Sequence, residues 1–493
     1  MSTKALQVSE LNPERSLKLE KAKLDRGFYN LIDGERSSLG GTLPVIDPST
    51  GETLATVPNI DREGLERAVS AAQKAFPAWR KVPFNDRRAM LIGVLNQIEQ
   101  HIDELSSLLT AEQGRPLAGA KWEIEWVTKL YGNAFRRMEL PEEESDVEEV
   151  GHVVKRYVPL GVVCAISPWN LPVLLSFVKV LPALLTGNTV VLKPSPFTPL
   201  TILRIADYVR ELLPPGVLNV ITGGDDLGPW MTSHPGFSKI AFTGSTQTGK
   251  RILESAASTL KHVTLELGGN DAGIVLPDAD PEKIADALFW SMFLVNGQGC
   301  ITLKRLYVHE EVYSALARAL IAYARRIKTG DGFEADAALG PIQNRAQYER
   351  LRSTLKAIEN SGTKILYQGQ IPQGSEGFFV PVTILDNPPD DARFVKEEVF
   401  GPIRSLLKYK DLEDAIRRAN ATPYGLGASV WGEDPKQLDT VARRLEAGTV
   451  WINQHLNLHP TLPFGGFKES GFGVEFGREG LQAFCNIQII ARK

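Results

Sequence analysis

Two segments of this sequence carry side chains that a plain scaffold does not need. Cys300 ends the run Asn296-Gly297-Gln298-Gly299-Cys300, behind a helix face bearing Phe289, Trp290 and Phe293. The two glycines let backbone or ligand approach closely. A thiol there reads either as a nucleophile or as a structural cysteine. Glu266 lies in Leu265-Glu266-Leu267-Gly268-Gly269-Asn270. A carboxylate at an apolar strand end is driven toward its neutral form, which suits a general base working near neutral pH. A structurally paired glutamate is the competing reading. Cys164 and Cys485 stand in apolar runs and read as small core residues.

Four strand ends carry polar residues where a plain turn would suffice. They are Ser167-Pro168-Trp169-Asn170, Lys193-Pro194-Ser195-Pro196, Gly223-Gly224-Asp225 and Thr243-Gly244-Ser245-Thr246-Gln247-Thr248-Gly249-Lys250. The last is one residue short of a phosphate-binding loop, because Arg251 replaces the hydroxyl that would hold magnesium. What remains is a glycine turn opening a helix, read as a seat for a pyrophosphate or as an ordinary turn. His455 and His459 have helical spacing, but no glutamate sits between them and Pro460 follows, so no metal site is expected. There is no Gly-x-Ser-x-Gly elbow for a serine hydrolase.

These loops need a scaffold. Apolar residues at helical spacing mark helices over 61–79 and 86–109. The acidic run 139–149 reads as a solvated loop or hairpin. Beyond it, strand-like runs at 161–166, 189–192, 217–221 and 240–242 alternate with helical ones at 172–185 and 200–212. That alternation means βαβ units and a parallel sheet, whose ligands bind beyond the carboxyl ends of the strands. The pattern resumes from about 281 to 450. Two α/β domains are expected, joined near 265–275, with a β-like segment at 484–491 free to pair with another element or subunit. The uncharged stretch 157–178 is long enough to span a bilayer, but Pro159, Pro168 and Pro172 break it, so a buried strand, turn and helix start is expected.

Composition narrows the class. The chain has 493 residues, 43% apolar and 23% charged, with a net charge of −4. No cationic excess exists to displace counterions from a nucleic acid. Three cysteines, none in a Cys-x-x-Cys pair, argue for a reducing compartment and against a disulfide or zinc framework. Residues 1–24 read as a solvated, partly helical arm rather than a signal peptide.

The motifs also occur in a telling order: Pro168-Trp169-Asn170, Lys193-Pro194-Ser195, Phe242-Thr243-Gly244-Ser245, Glu266-Leu267-Gly268-Gly269, Gly297-Gln298-Gly299-Cys300, Glu397-Glu398-Val399-Phe400-Gly401-Pro402, and Pro463-Phe464-Gly465-Gly466-Phe467-Lys468-x-Ser470-Gly471. From about residue 25 onward the chain resembles the NAD(P)-dependent aldehyde dehydrogenase superfamily, in its non-acylating, acid-forming branch. The resemblance implies an α/β fold: a Rossmann-like cofactor domain (25–130 and 153–265), an α/β catalytic domain (266–465) and a small β-flap for oligomerisation (131–152 and 480–493). It implies that Cys300 adds to an aldehyde, that Asn170 and the Cys300 N–H hold the oxyanion, and that Glu266 activates water to release the acid. Lys193 would shape the site at the adenosine ribose, with Ile166, Trp169, Asn170 and Ser195 nearby. Gly244 and Ser245 would take the pyrophosphate, Glu398 the nicotinamide ribose, and Phe400 would pack near the ring.

One position departs from the pattern. Pro196 stands where strict NAD users often place a glutamate that repels a 2′-phosphate. NAD remains the expected cofactor, with NADP open. Leu175, Val178, Leu458 and Phe464 imply a roomy apolar tunnel for an aromatic or medium-chain aldehyde. A cytoplasmic homodimer or homotetramer, with no nucleic-acid or membrane partner, completes the expectation. The alternative is a cofactor-independent cysteine esterase or thioester hydrolase on the same fold.

Overall fold

A computed structural model describes residues 13–493 of the protein. Most of its strands gather into two large sheets. In the first, the parallel strands His262–Glu266, Lys239–Thr243, Val162–Ile166, Thr189–Lys193 and Leu218–Val220 lie side by side in that order. Their sequences are nearly continuous apolar runs, as parallel strands covered on both faces require. Alternation then sends Val163, Ala165, Val190 and Leu192 into one core layer and Cys164, Val191, Ile240 and Phe242 into the other.

The chain walks outward from Val162–Ile166 to Leu218–Val220, then returns to place Lys239–Thr243 on the opposite side of Val162–Ile166. The strand order therefore reverses between these two strands. In an open α/β sheet, that reversal opens the crevice where ligands bind. In the second sheet Asp271–Val275 lies between parallel Leu303–His309, the central strand of seven, and Gly427–Trp431. Only residues 267–270 separate it from the last residue of His262–Glu266.

The acidic run becomes a hairpin. Glu143–Val147 pairs with Gly151–Pro159, which pairs in turn with Cys485–Arg492. This small sheet reaches Pro159, beyond the boundary at 152 read from the sequence. The helix expected over 86–109 is two helices, Phe84–Gln100 and Ile102–Gln113. The break is at His101 (φ −109°, ψ 20°), whose ring stacks on Tyr208 at 3.8 Å. The arm read over 1–24 falls partly outside the described residues. Its described part includes the helix Pro13–Lys21, anchored by buried Arg15 on Asp47 and Asp331, so it is not simply solvated.

Candidate active site

Strand register builds the first wall. Ile166 lies opposite both Lys193 and Phe242, and Thr243 lies opposite Glu266. All sit at the carboxyl edge, on either side of the reversal. Lys193 is buried, and burial lowers its pKa to about 8. Ser195 turns the chain by accepting the Phe197 N–H at 3.3 Å. Ser245 caps the helix Thr246–Ala257 by accepting the Thr248 N–H at 3.2 Å. A Cβ on Gly244 would stand 2.4 Å from the Phe242 ring, so this turn admits only glycine without a shift. A glycine turn at a capped helix N-terminus suits a pyrophosphate.

Cys300 forms the second wall. The helix Pro281–Phe293 ends, and Val295 and Asn296 turn left-handed at φ 52° and 55°. Such backbone costs about 1–3 kcal/mol per residue and persists only where neighbours over-determine it. Here they do. Asn296 Nδ2 donates to Gly340 O at 2.7 Å, and Gln298 Oε1 accepts the Gln343 N–H at 2.9 Å. The buried Arg404 guanidinium donates to Gly297 O, Thr302 Oγ1, Met292 O, Val399 O and Gly401 O. Lys304 Nζ donates to Gly299 O at 2.9 Å and Cys300 O at 2.7 Å. Burial pushes the Cys300 thiol up to about 12; Lys304 opposes this, while Glu398, Asp271 and Glu266 reinforce it. The thiol therefore stands in the field of all four groups.

Glu266 is 3% exposed, and among the described residues neither carboxylate oxygen has a hydrogen-bond partner. Burial and the nearby Glu475 push its pKa well above the usual carboxylate range, against the pull of Lys179. Lys179 Nζ meets Glu475 Oε1 at 2.7 Å and Thr243 Oγ1 at 2.6 Å. Asn170 is buried, and its side-chain amide donates one hydrogen to Gln298 O at 3.0 Å, tying it to the Cys300 loop. Its own carbonyl accepts from Arg115, which pairs with Glu123. Glu123 in turn accepts the N–H groups of Val173 and Leu174, at 2.8 and 2.9 Å, at the start of Pro172–Leu185. Glu398 Oε1 accepts the Gly269 N–H at 3.1 Å, and Phe400 sits edge-on to Trp169 with ring centroids 5.3 Å apart.

Asn170, Cys300, Glu266 and Glu398 thus meet on the seam between the two sheets. Ile166, Trp169, Lys193, Ser195, Gly244 and Ser245 line the carboxyl edge of the first sheet, and Phe400 reaches Trp169 from the second. The sequence reading missed Arg115, Glu123, Lys179, Glu475, Lys304 and Arg404. Two of them carried a readable signal: Lys179 interrupts an apolar helix and Arg404 an apolar strand. Cys164 and Cys485 are buried core thiols. His455 is not helical; it contacts Ile301 O at 2.8 Å, and burial lowers its pKa to about 3. Among the described residues no group of His, Cys, Asp and Glu is arranged to hold a metal, and no helix is long and apolar enough to cross a membrane.

The aldehyde dehydrogenase family model matches residues 35–490. The phenylacetaldehyde dehydrogenase of Pseudomonas fluorescens is 40% identical over 90% of this chain and 91% of its own. The betaine aldehyde dehydrogenase of Staphylococcus aureus, solved with NAD+, superposes with a TM-score of 0.92 at 30% identity, over 96% of this chain and 97% of that one. An NADP-dependent enzyme from E. coli superposes with a TM-score of 0.90 at 33% identity, over 94% and 98%. With its two α/β sheets meeting at a half-buried thiol and a buried carboxylate, this chain belongs to the aldehyde dehydrogenase family, oxidoreductases that act on aldehydes with NAD(P).

Proposed function

We propose that the chain oxidises an aldehyde to its acid through a covalent Cys300 intermediate. The observation that carries this reading is Glu266, a buried carboxylate with no hydrogen-bond partner among the described residues, whose charge bears on the Cys300 thiol. The thiol gives its proton to solvent water, and its sulfur forms a C–S bond with the aldehyde carbon as the C=O π pair moves onto oxygen. The Asn170 side-chain amide and the Cys300 N–H receive the developing oxyanion, each such donor being worth about 3–4 kcal/mol in the transition state. A bound nicotinamide dinucleotide supplies the acceptor for the hydride that leaves the thiohemiacetal carbon. Glu266 then takes a proton from water as that water attacks the Cys300 thioester, releasing the acid and restoring the thiol. This divides one difficult oxidation into two accessible steps.

The dinucleotide would lie along the carboxyl edge of the first sheet. The Gly244–Ser245 turn would seat its pyrophosphate, Lys193 and Ser195 its adenosine ribose, and Glu398 its nicotinamide ribose. Pro196 adds no charge against a 2′-phosphate, so we read NAD as preferred and NADP as accepted. Cys300, Ile301, Leu171, Leu175 and Leu458 pack against one apolar cluster with Val178 and Phe464. This supports an aromatic or medium-chain aldehyde, in keeping with the phenylacetaldehyde-oxidising relative. The edge strand Cys485–Arg492 exposes Ile487 and Ile489 at 62% and 56%, which supports assembly of identical chains through the flap. Three unpaired cysteines support a reducing, cytoplasmic setting.

The test is an aldehyde panel run with NAD and with NADP, reading reduced nicotinamide. Phenylacetaldehyde and medium-chain aldehydes are expected to be oxidised, and Cys300→Ala is expected to abolish turnover. An enzyme that reduces neither dinucleotide with any aldehyde, yet cleaves esters through Cys300, would establish the hydrolase alternative instead.

A further inference from the structure

We infer that Lys304 is a positioning residue that sets the direction of the oxyanion-binding N–H of Cys300. Lys304 is the second residue of the strand Leu303–His309 and is 5% exposed. An ammonium in that position is expensive unless its hydrogens are met. They are met almost entirely by the cysteine loop. Nζ donates to Gly299 O at 2.9 Å, Cys300 O at 2.7 Å and Thr302 O at 3.2 Å, and lies 3.5 Å from Glu398 Oε1. Thr302 Oγ1 adds a second donor to Gly299 O at 2.8 Å.

The consequence follows from peptide planarity. The Gly299 carbonyl and the Cys300 N–H belong to one trans peptide, so they point in opposite directions. Three donors fix that carbonyl toward Lys304 and Thr302: Lys304 Nζ, Thr302 Oγ1 and, at 3.3 Å, the Thr302 backbone N–H. The Cys300 N–H is thereby turned to the other side, and no backbone acceptor among the described residues takes it. In a loop with glycines at 297 and 299, the backbone holds this peptide only through the 3.3 Å Thr302 N–H bond, so the two shorter side-chain donors are what keep it from flipping. Flipped, it would present a carbonyl where the oxyanion must form.

This inference rests on the proposed Cys300 chemistry, and a control with Cys300→Ala separates the two. Turnover surviving in Cys300→Ala would remove the chemistry itself. The test of Lys304 is Lys304→Met, which keeps the length of the side chain and removes its donors. Three rates are compared: aldehyde oxidation, cofactor-free hydrolysis of p-nitrophenyl acetate, and alkylation of Cys300 by iodoacetamide across pH. The two acyl-transfer reactions need the oxyanion hole and alkylation does not. We expect kcat to fall roughly 10²-fold in both acyl-transfer reactions, at least tenfold more than alkylation slows. If alkylation slows as much as kcat falls, Lys304 acts only on the thiol and the inference is wrong. It is equally wrong if kcat is kept and only the KM for the dinucleotide rises, which would place the effect on Glu398. Should Lys304→Met not fold, Thr302→Val decides. It removes one neutral donor from Gly299 O, and kcat should fall about tenfold at an unchanged alkylation rate. Unchanged kcat in that variant overturns the inference.

Discussion

Glu266 and Glu123 are both buried, at 3% and 0% exposure, and the regions around them use burial in opposite ways. Around Glu123 both oxygens meet positive partners: Oε2 pairs with the Arg115 guanidinium, and Oε1 accepts two helix N–H groups. Burial raises its affinity for a proton, and those partners oppose it. The result is a fastener that holds the start of Pro172–Leu185 and, through Arg115, the backbone of Asn170. Around Glu266 no donor is offered among the described residues, and Glu475 adds a second negative charge. There the same burial leaves a carboxylate that binds protons readily. A satisfied buried charge stabilises geometry; an unsatisfied one is available for chemistry.

Glu266→Gln tests the second half of that contrast and carries the largest expected effect. Steady turnover should drop by about 10³-fold, within the range for a lost general base, while one burst of reduced nicotinamide per site survives. Steady turnover in this variant would remove Glu266 from deacylation. The pH signature has a definite sign. A carboxylate whose folded pKa is raised binds more protons in the folded state between its unfolded and folded pKa values. Its contribution to stability is therefore complete below the unfolded pKa of about 4.3 and is lost as pH rises through the folded one. Urea unfolding of the wild type should show this downward slope, and Glu266→Gln should show a shallower one, since Glu112 and Asp271 are also raised by burial and keep their share. The kcat of the wild type should rise with pH through the same raised pKa.

Glu123→Gln tests the first half. It leaves the Arg115 charge buried without its counter-ion, a change that costs about 3–5 kcal/mol when a buried pair is broken on one side. The unfolding midpoint should fall accordingly, whereas Glu266→Gln should be at least as stable as the wild type at pH 8. If both substitutions destabilise equally, the two carboxylates do not differ as the geometry implies.

The contrast also explains what the sequence made legible. Strand–helix alternation exposed the first sheet, because buried parallel strands must be apolar throughout and turns must be marked. Glu266 and Cys300 stood out because their neighbours are glycines and aliphatics. Glu123 and Arg115 did not: Glu123 lies in Leu117–Glu125 beside Lys121 and Glu125 and looks like one more solvated charge. Their roles are set by tertiary contacts, Arg115 to Asn170 across 55 residues and Glu123 to Val173 across 50. Lys304 and Arg404 likewise answer backbone carbonyls that acquire a direction only once the Cys300 loop is folded. The break at His101 was hidden because apolar spacing continues in phase across it.

The smallest expected effect lies on the cofactor edge, where burial is partial and screening stronger. Pro196 follows buried Ser195 and precedes Phe197, which is 43% exposed. Lys193 nearby feels Asp225, which opposes the lowering of its pKa by burial. A 2′-phosphate on the adenosine ribose would meet one cation and no carboxylate at position 196. Pro196→Glu would add a carboxylate that accepts hydrogen bonds from both ribose hydroxyls and repels the phosphate. At a half-exposed site such a charge is worth about 1 kcal/mol, so the NAD-over-NADP ratio of kcat/KM should rise by about fivefold to tenfold. The substitution should leave kcat with NAD, and the burst that defines Glu266, unchanged. An unaltered ratio would mean that cofactor choice is made by Lys193 and its surroundings alone. A lowered kcat would mean that this edge is not independent of the seam where Cys300 and Glu266 meet.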